Sequence, residues 1–279
     1  MTGTAAHDAL DGAITAIAAA GCDTPRLDAE VLLAHALGVR RERLLIDELT
    51  VEGPAVRAFQ DAVRRRSVER EPVAYIVGLR GFRRLELAVD HRALVPRPET
   101  ELLVEVGLTL APGARVLDLA TGSGAVALAL KDERPDLKLT GSDVSPAALD
   151  LARANGRRLE LDVDWLLADL LDGVGDDFDA VLANPPYVAE SERASLAPEI
   201  LRHEPALALF AGSDGLEVIR ALVVQLSARR ALSTVAIEVG AGQAPIVAEL
   251  LRGAGFQAVR SERDLAGFER VVVAERHDR

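Results

Sequence analysis

One cysteine in 279 residues, Cys22, excludes an intramolecular disulfide and suits a reducing compartment. Lysine is nearly absent: Lys131 and Lys138 are the only two, and arginine supplies every other basic side chain. Acidic residues outnumber basic ones, for a net charge of −12, so the overall basic balance typical of a duplex-DNA binder is missing. Aromatic residues make up only 3% of the chain, which leaves few rings to stack on an extruded base. No run is long and apolar enough to span a bilayer. The alanine-rich start carries Asp8 and Asp11 and no basic stretch, a poor signal peptide. These features predict a cytoplasmic protein. The histidines, His7, His35, His91, His203 and His277, are scattered without metal-ligand spacing, so no metal is expected. No Gly-x-Ser-x-Gly elbow is present, which argues against a serine hydrolase.

What remains has the composition of a soluble globular protein, 49% apolar and 27% charged, with room for about two domains. Residues 1–80 read as helices only. Leu10, Ala13, Ile14 and Ile17 recur at helical spacing. Thr24-Pro25 starts a second helix that Gly38 closes, with an apolar stripe of Leu27, Val31, Leu32, His35 and Leu37. Arg64, Arg65, Arg66, Arg70, Arg80, Arg83 and Arg84 cluster in this first third. A solvated helix face is the first reading of such a run, and a partner-docking surface the second. Over residues 81–98 the period shifts. Leu85, Leu87 and Val89 alternate with polar or small residues, and Asp90-His91 turns into Ala93-Leu94-Val95, which predicts a β-hairpin. Pro96-Arg97-Pro98-Glu99-Thr100-Glu101 then forms a stiff linker. From residue 99 to 279, strands at 115–120, 137–142, 164–168, 179–183, 234–239, 257–262 and 270–275 mostly alternate with helices. That pattern predicts an α/β domain with a seven-stranded, mostly parallel, Rossmann-like sheet.

Ligands of open α/β sheets bind at the carboxyl ends of the strands, and four such ends here carry informative residues. Ala120-Thr121-Gly122-Ser123-Gly124 follows the first strand as a tight, glycine-containing turn. It matches neither Gly-x-Gly-x-x-Gly nor a phosphate-binding loop with its lysine, so a ligand without a pyrophosphate fits better. Asp143 ends the second strand, where an acid commonly holds a ribose diol, and Ser145 before Pro146 suits a helix N-cap. Asp169 ends the third, placed to accept from an adenine amino group, and Leu170 follows as a ring-packing side chain. Asn184-Pro185-Pro186-Tyr187 ends the fourth. Two prolines cannot extend a sheet, so the chain leaves it there in a rigid turn that presents one amide, fixed carbonyls and one ring. The same four residues would also serve as a plain strand-ending turn.

Taken together, these strand ends resemble the class I, S-adenosylmethionine-dependent methyltransferases. Nearly the whole chain is similar to the HemK/PrmC family, the protein-(glutamine-N5) methyltransferases that act on peptide chain release factors. The likeness runs through Glu71 to Gly78, the Pro96 to Glu101 linker, Glu204-Pro205 and Glu238-Val239-Gly240. It implies S-adenosylmethionine as cofactor, held by residues 120–124, Asp143, Asp169, Leu170 and Asn184. It implies a class I release factor as partner, its Gly-Gly-Gln glutamine received by Asn184, Pro185, Pro186 and Tyr187. A monomer with no direct DNA contact is expected. A ribosomal-protein glutamine methyltransferase has similar motifs, and Asn-Pro-Pro-Tyr also occurs in DNA adenine methyltransferases. The chain departs from the family at Ala120, usually glycine and expected to be tolerated at negative φ, and at Leu170, often aromatic.

Overall fold

The computed structural model describes residues 4–276; His277 lies outside them. The chain forms two compact units. The first runs to Leu79 and takes in Ala197–His203. Its main helices are α1 (Ala6–Ala19), α2 (Pro25–Leu37) and α3 (Pro54–Arg64). Their core gathers Ile17, Ala29, Leu32, Leu33, Phe59 and Ile76. Pro25 opens α2 at its first position and Gly38 closes it at φ 64°. The buried face of α2 is Ala29, Leu32 and Leu33, whereas Leu27 and His35 are exposed, so the stripe expected from spacing alone is rotated. A helix with apolar residues around much of its circumference cannot specify its own buried side; its neighbours choose it.

The arginine cluster meets the solvated-face expectation only in part: Arg64 and Arg84 are exposed, but others are not. Arg66 is buried, with Nε donating to Asp28 Oδ2 at 2.6 Å and a second nitrogen to Glu199 at 3.1 Å. Arg70 donates to Glu199 at 2.7 Å and to the Ala20 carbonyl at 2.6 Å. Arg65 pairs with both oxygens of Glu71. These arginines neutralise acids of their own unit.

In the second unit, β1 (Leu79–Phe82), whose first residue belongs to the helical unit, and β2 (Leu85–Ala88) form the hairpin earlier than expected. Arg83, at φ 52°, occupies the turn and donates to Glu133 through two nitrogens at 2.8 Å. Asp90 does make a turn, accepting from the Arg92 N–H at 3.0 Å, but Ala93 to Val95 form no strand. The main sheet comprises β3 (Arg115–Leu119), β4 (Lys138–Asp143), β5 (Asp164–Leu167), β6 (Ala180–Ala183), β7 (Thr234–Glu238), β8 (Ala258–Arg263) and β9 (Glu269–Glu275). Their order is β8-β9-β7-β6-β3-β4-β5, parallel except for β9, which runs against both neighbours. Strands buried on both faces need near-continuous apolar sequence, as Ala180-Val181-Leu182-Ala183 shows. One face, with Leu117, Leu119, Val181, Ala183, Val235 and Ile237, packs against Ile219, Leu222, Leu226, Val247 and Leu251 of the following helices. Alternation sends Asp118, Leu182 and Glu238 to the other face. The strand order reverses between β3 and β6, which puts their carboxyl ends at a switch point.

Candidate functional site

A cleft at these carboxyl ends holds about 1190 Å³ of empty space, part of it open to solvent. Residues 118–123, Ser142, Asp143, Asp169, Leu170 and Asn184 to Pro186 line it, with Ala93, Pro96, Arg97, Thr100 and Leu207. Thus the ends of β3, β4, β5 and β6 meet in one place.

The turn after β3 is built around a buried acid. Asp118 Oδ2 accepts from Thr121 Oγ1 at 2.5 Å and from the Ala127 N–H at 3.1 Å, and burial pushes its carboxyl up to about 7. Thr121 therefore turns its hydroxyl inward rather than toward the cleft. Ala120 lies at φ 58°, against the expectation of negative φ. The turn needs a left-handed residue there, and an alanine bears the steric cost that a glycine would avoid. Leu170, beyond the end of β5, is likewise left-handed at φ 52°. The two glycines have separate jobs. A Cβ on Gly122 would meet only Ala93 Cβ, at 3.9 Å, so this backbone is open to a ligand. A Cβ on Gly124 would lie 2.8 Å from the Trp165 ring, and Gly124 does not line the cleft. Close packing therefore requires glycine at this position.

Asp143 holds this turn to the next one. Its Oδ2 accepts from the Gly122 N–H and its Oδ1 from the Ser145 N–H, both at 2.9 Å, and burial raises its pKa. Each oxygen keeps a second lone pair for a donor from the cleft. Ser145 caps the helix Pro146–Leu159, accepting from Ala148 N at 3.3 Å. Asp169 is exposed at the rim.

At the end of β6, Asn184 Nδ2 donates to Thr100 Oγ1 at 3.1 Å, which leaves Oδ1 as the acceptor end of the amide. Asn184, Pro185 and Pro186 form cleft wall, but Tyr187 does not. Its ring packs toward the sheet core and its hydroxyl donates to Glu238 Oε1 at 3.2 Å. Arg97 is tied to Glu204 at 2.6 Å. Arg97, Glu99 and Thr100 read from sequence equally as a segment closing over the cofactor or as an ordinary helix start; Arg97 and Thr100 line the cleft. Sequence reasoning missed Asp118 and Glu238 as site residues, although Leu117-Asp118-Leu119 and Ile237-Glu238-Val239 each place a single acid in an apolar strand, where an unpaired charge is costly.

The residues fit an adenosyl ligand. Gly122 leaves a cradle that a Cβ would fill, Asp143 and Asp169 offer acceptors at successive strand ends, and the walls between them are largely apolar. Residues 98–215 match the family model "Methyltransferase small domain" and residues 8–78 match "PrmC N-terminal domain". The chain is 40% identical over 275 residues to the release factor glutamine methyltransferase of Deinococcus radiodurans, covering 97% of this chain and 98% of that one. It is 42% identical to that of Cereibacter sphaeroides over 96% of this chain and 98% of the other. The chain belongs to the release factor glutamine methyltransferase family. Its fold is also that of the hMettl16 catalytic domain, solved in complex with a MAT2A 3'UTR hairpin (TM-score 0.54, 18% identity, 81% of this chain and 82% of that one). A methyltransferase from Pyrococcus furiosus shares it as well (TM-score 0.52, 18% identity, 68% of this chain and 88% of that one). Family membership makes S-adenosylmethionine the cofactor.

Proposed function

We propose that the chain transfers a methyl group from S-adenosylmethionine to the side-chain amide nitrogen, N5, of the Gly-Gly-Gln glutamine in class I peptide chain release factors. The observation that carries this reading is near-full-length identity of about 40% to release factor glutamine methyltransferases, in a chain whose Asn184 amide sits in the cleft wall. The bound cofactor supplies an electrophilic methyl on a sulfonium. A carboxamide nitrogen is a poor nucleophile because its lone pair is delocalised into the carbonyl, so position matters more than a strong base. In this reading Asn184 Oδ1 and the Pro185 carbonyl accept the two N–H bonds of the substrate amide, aim its lone pair and favour the positive charge that develops there. Pro186 stiffens the turn and Tyr187 anchors it from behind. The substrate nitrogen would take the methyl that the cofactor supplies, displacing it from the sulfonium sulfur, and would then lose one proton to solvent. Asp143 takes the ribose hydroxyls and Asp169 the adenine amino group, with Leu170 against the base and residues 120–123 along the rest of the ligand.

The same reading makes the protein a cytoplasmic monomer with no direct contact to DNA. Its test is incubation with labelled S-adenosylmethionine and, in parallel, release factor, ribosomal protein and DNA. Label is expected on the glutamine of the release factor. Label confined to ribosomal protein or to DNA overturns the assignment.

A further inference from the structure

Glu238 is one of the most buried acids of the second unit, 1% exposed, and it stands beside the acceptor turn for a topological reason. β6 and β7 are parallel neighbours with Ala183 opposite Ile237, so Asn184, just past the end of β6, comes beside Glu238, the last residue of β7. The carboxyl receives the Tyr187 hydroxyl on Oε1 at 3.2 Å and faces the Thr100 hydroxyl, which in turn accepts from Asn184 Nδ2 at 3.1 Å. Among the described residues no hydrogen bond reaches Oε2. An under-satisfied buried carboxyl is costly, and an apolar side chain of similar size would pack there more cheaply. What the carboxyl does provide is direction. A threonine hydroxyl has one proton; given to Glu238, it leaves a lone pair toward Asn184, so the amide must present Nδ2 to Thr100 and Oδ1 to the other side. The same carboxyl holds Tyr187, three residues along the turn.

We propose that Glu238 is a positioning residue for methyl transfer: through the Thr100 and Tyr187 hydroxyls it sets which end of the Asn184 amide meets the substrate nitrogen. The proposal rests on the reading of the site as an amide-nitrogen methyltransferase, but its test does not need that substrate. In the protein alone, the Asn184 side-chain NH₂ is followed by NMR, its signals assigned by their loss in Asn184→Ala. Thr100→Val and Glu238→Gln are expected to shift these signals and speed exchange between the two protons, while Thr100→Ser restores the wild-type spectrum. Where the wild type methylates an acceptor, Thr100→Val and Glu238→Gln should lower kcat about tenfold, some 1.4 kcal/mol, with KM for the acceptor and affinity for S-adenosylmethionine nearly unchanged. In an Asn184→Ala background the Thr100→Val loss should vanish, because the two act as one unit. Unmoved Asn184 signals in both variants overturn the proposal, and so does additivity of the Thr100 and Asn184 effects. A wild type that methylates no release factor defeats the substrate reading and leaves the amide signals to decide this one. Should Glu238→Gln fail to fold, Thr100→Val with its serine rescue carries the test.

Discussion

Gly122 and Gly124 stand two residues apart at φ 57° and 85°, yet alanine should break different things at each. Holding an L-residue in the left-handed region costs about 1–2 kcal/mol. About 0.4–1 kcal/mol of this returns because alanine has fewer unfolded conformations than glycine. Gly122→Ala meets no further obstacle, with only Ala93 Cβ nearby at 3.9 Å, so it should lose about 1 kcal/mol of stability. Its methyl would stand in the cleft where the backbone approaches the ligand. Gly124→Ala has the same backbone cost and adds contacts at 2.8 Å to Trp165, 3.0 Å to Leu128 and 3.2 Å to Ala152. Such overpacking costs about 1–3 kcal/mol more. At about 2–4 °C per kcal/mol, Gly124→Ala should melt roughly 10 °C below wild type and Gly122→Ala about 3 °C below. Circular dichroism melts and calorimetric titration with S-adenosylmethionine separate the two. Gly122→Ala should bind about tenfold more weakly or worse, a loss of 1.4 kcal/mol or more, and Gly124→Ala nearly normally below its melting point. A Gly124→Ala protein as stable as wild type, or a Gly122→Ala protein with full affinity, would refute the division of labour.

Ala120→Gly removes the left-handed strain and should leave the protein unchanged or stabilised by up to about 1 kcal/mol in urea unfolding; a loss above that would mean the methyl is a packing contact. Asn184→Ala should bind S-adenosylmethionine normally and lose most turnover; single-turnover rates near wild type would remove Asn184 from the transfer. Asp118 and Glu238, each pushed up to about 7 by burial, keep their protons in the folded state at pH values where the unfolded chain has lost them. Folded-state pKa values raised in this way make stability fall as pH rises from about 4 toward 7, on the order of 3 kcal/mol per group, and level off above. Asp118→Asn, compared with wild type by urea unfolding from pH 5 to 8, should remove one share of that slope; parallel curves would show that the carboxyl does not titrate there. Asp28→Ala strips Arg66 of its closest partner in a site where both side chains are under 10% exposed, and should cost about 3 kcal/mol or more by the same measurement. A loss below about 1 kcal/mol would show that Glu199 alone satisfies the guanidinium.

Much of the sheet could be read directly because its signals are local. Val116 to Leu119, apolar but for Asp118, and the wholly apolar Ala180 to Ala183 are short strand-forming runs, Pro185-Pro186 must stop a strand, and Ser145 before Pro146 must start a helix. Each depends on covalent neighbours, so the strand ends that carry Asp143, Asp169 and Asn184 were placed by sequence alone. Tertiary structure decided what those ends touch. The φ of Ala120, the packing of Gly124 on Trp165 and the inward turn of Tyr187 all depend on which strands and helices become neighbours. Arg66 reads as one of a solvated run until Asp28, 38 positions earlier, and Glu199, 133 positions later, are brought to it. Thr100 and Glu238 lie 84 residues before Asn184 and 51 residues after Tyr187, the partners they meet, and only the pairing of β6 with β7 and the helix start at Thr100 bring them together. A hydrogen bond across such separations is set by strand order, which long-range packing chooses and no local pattern encodes.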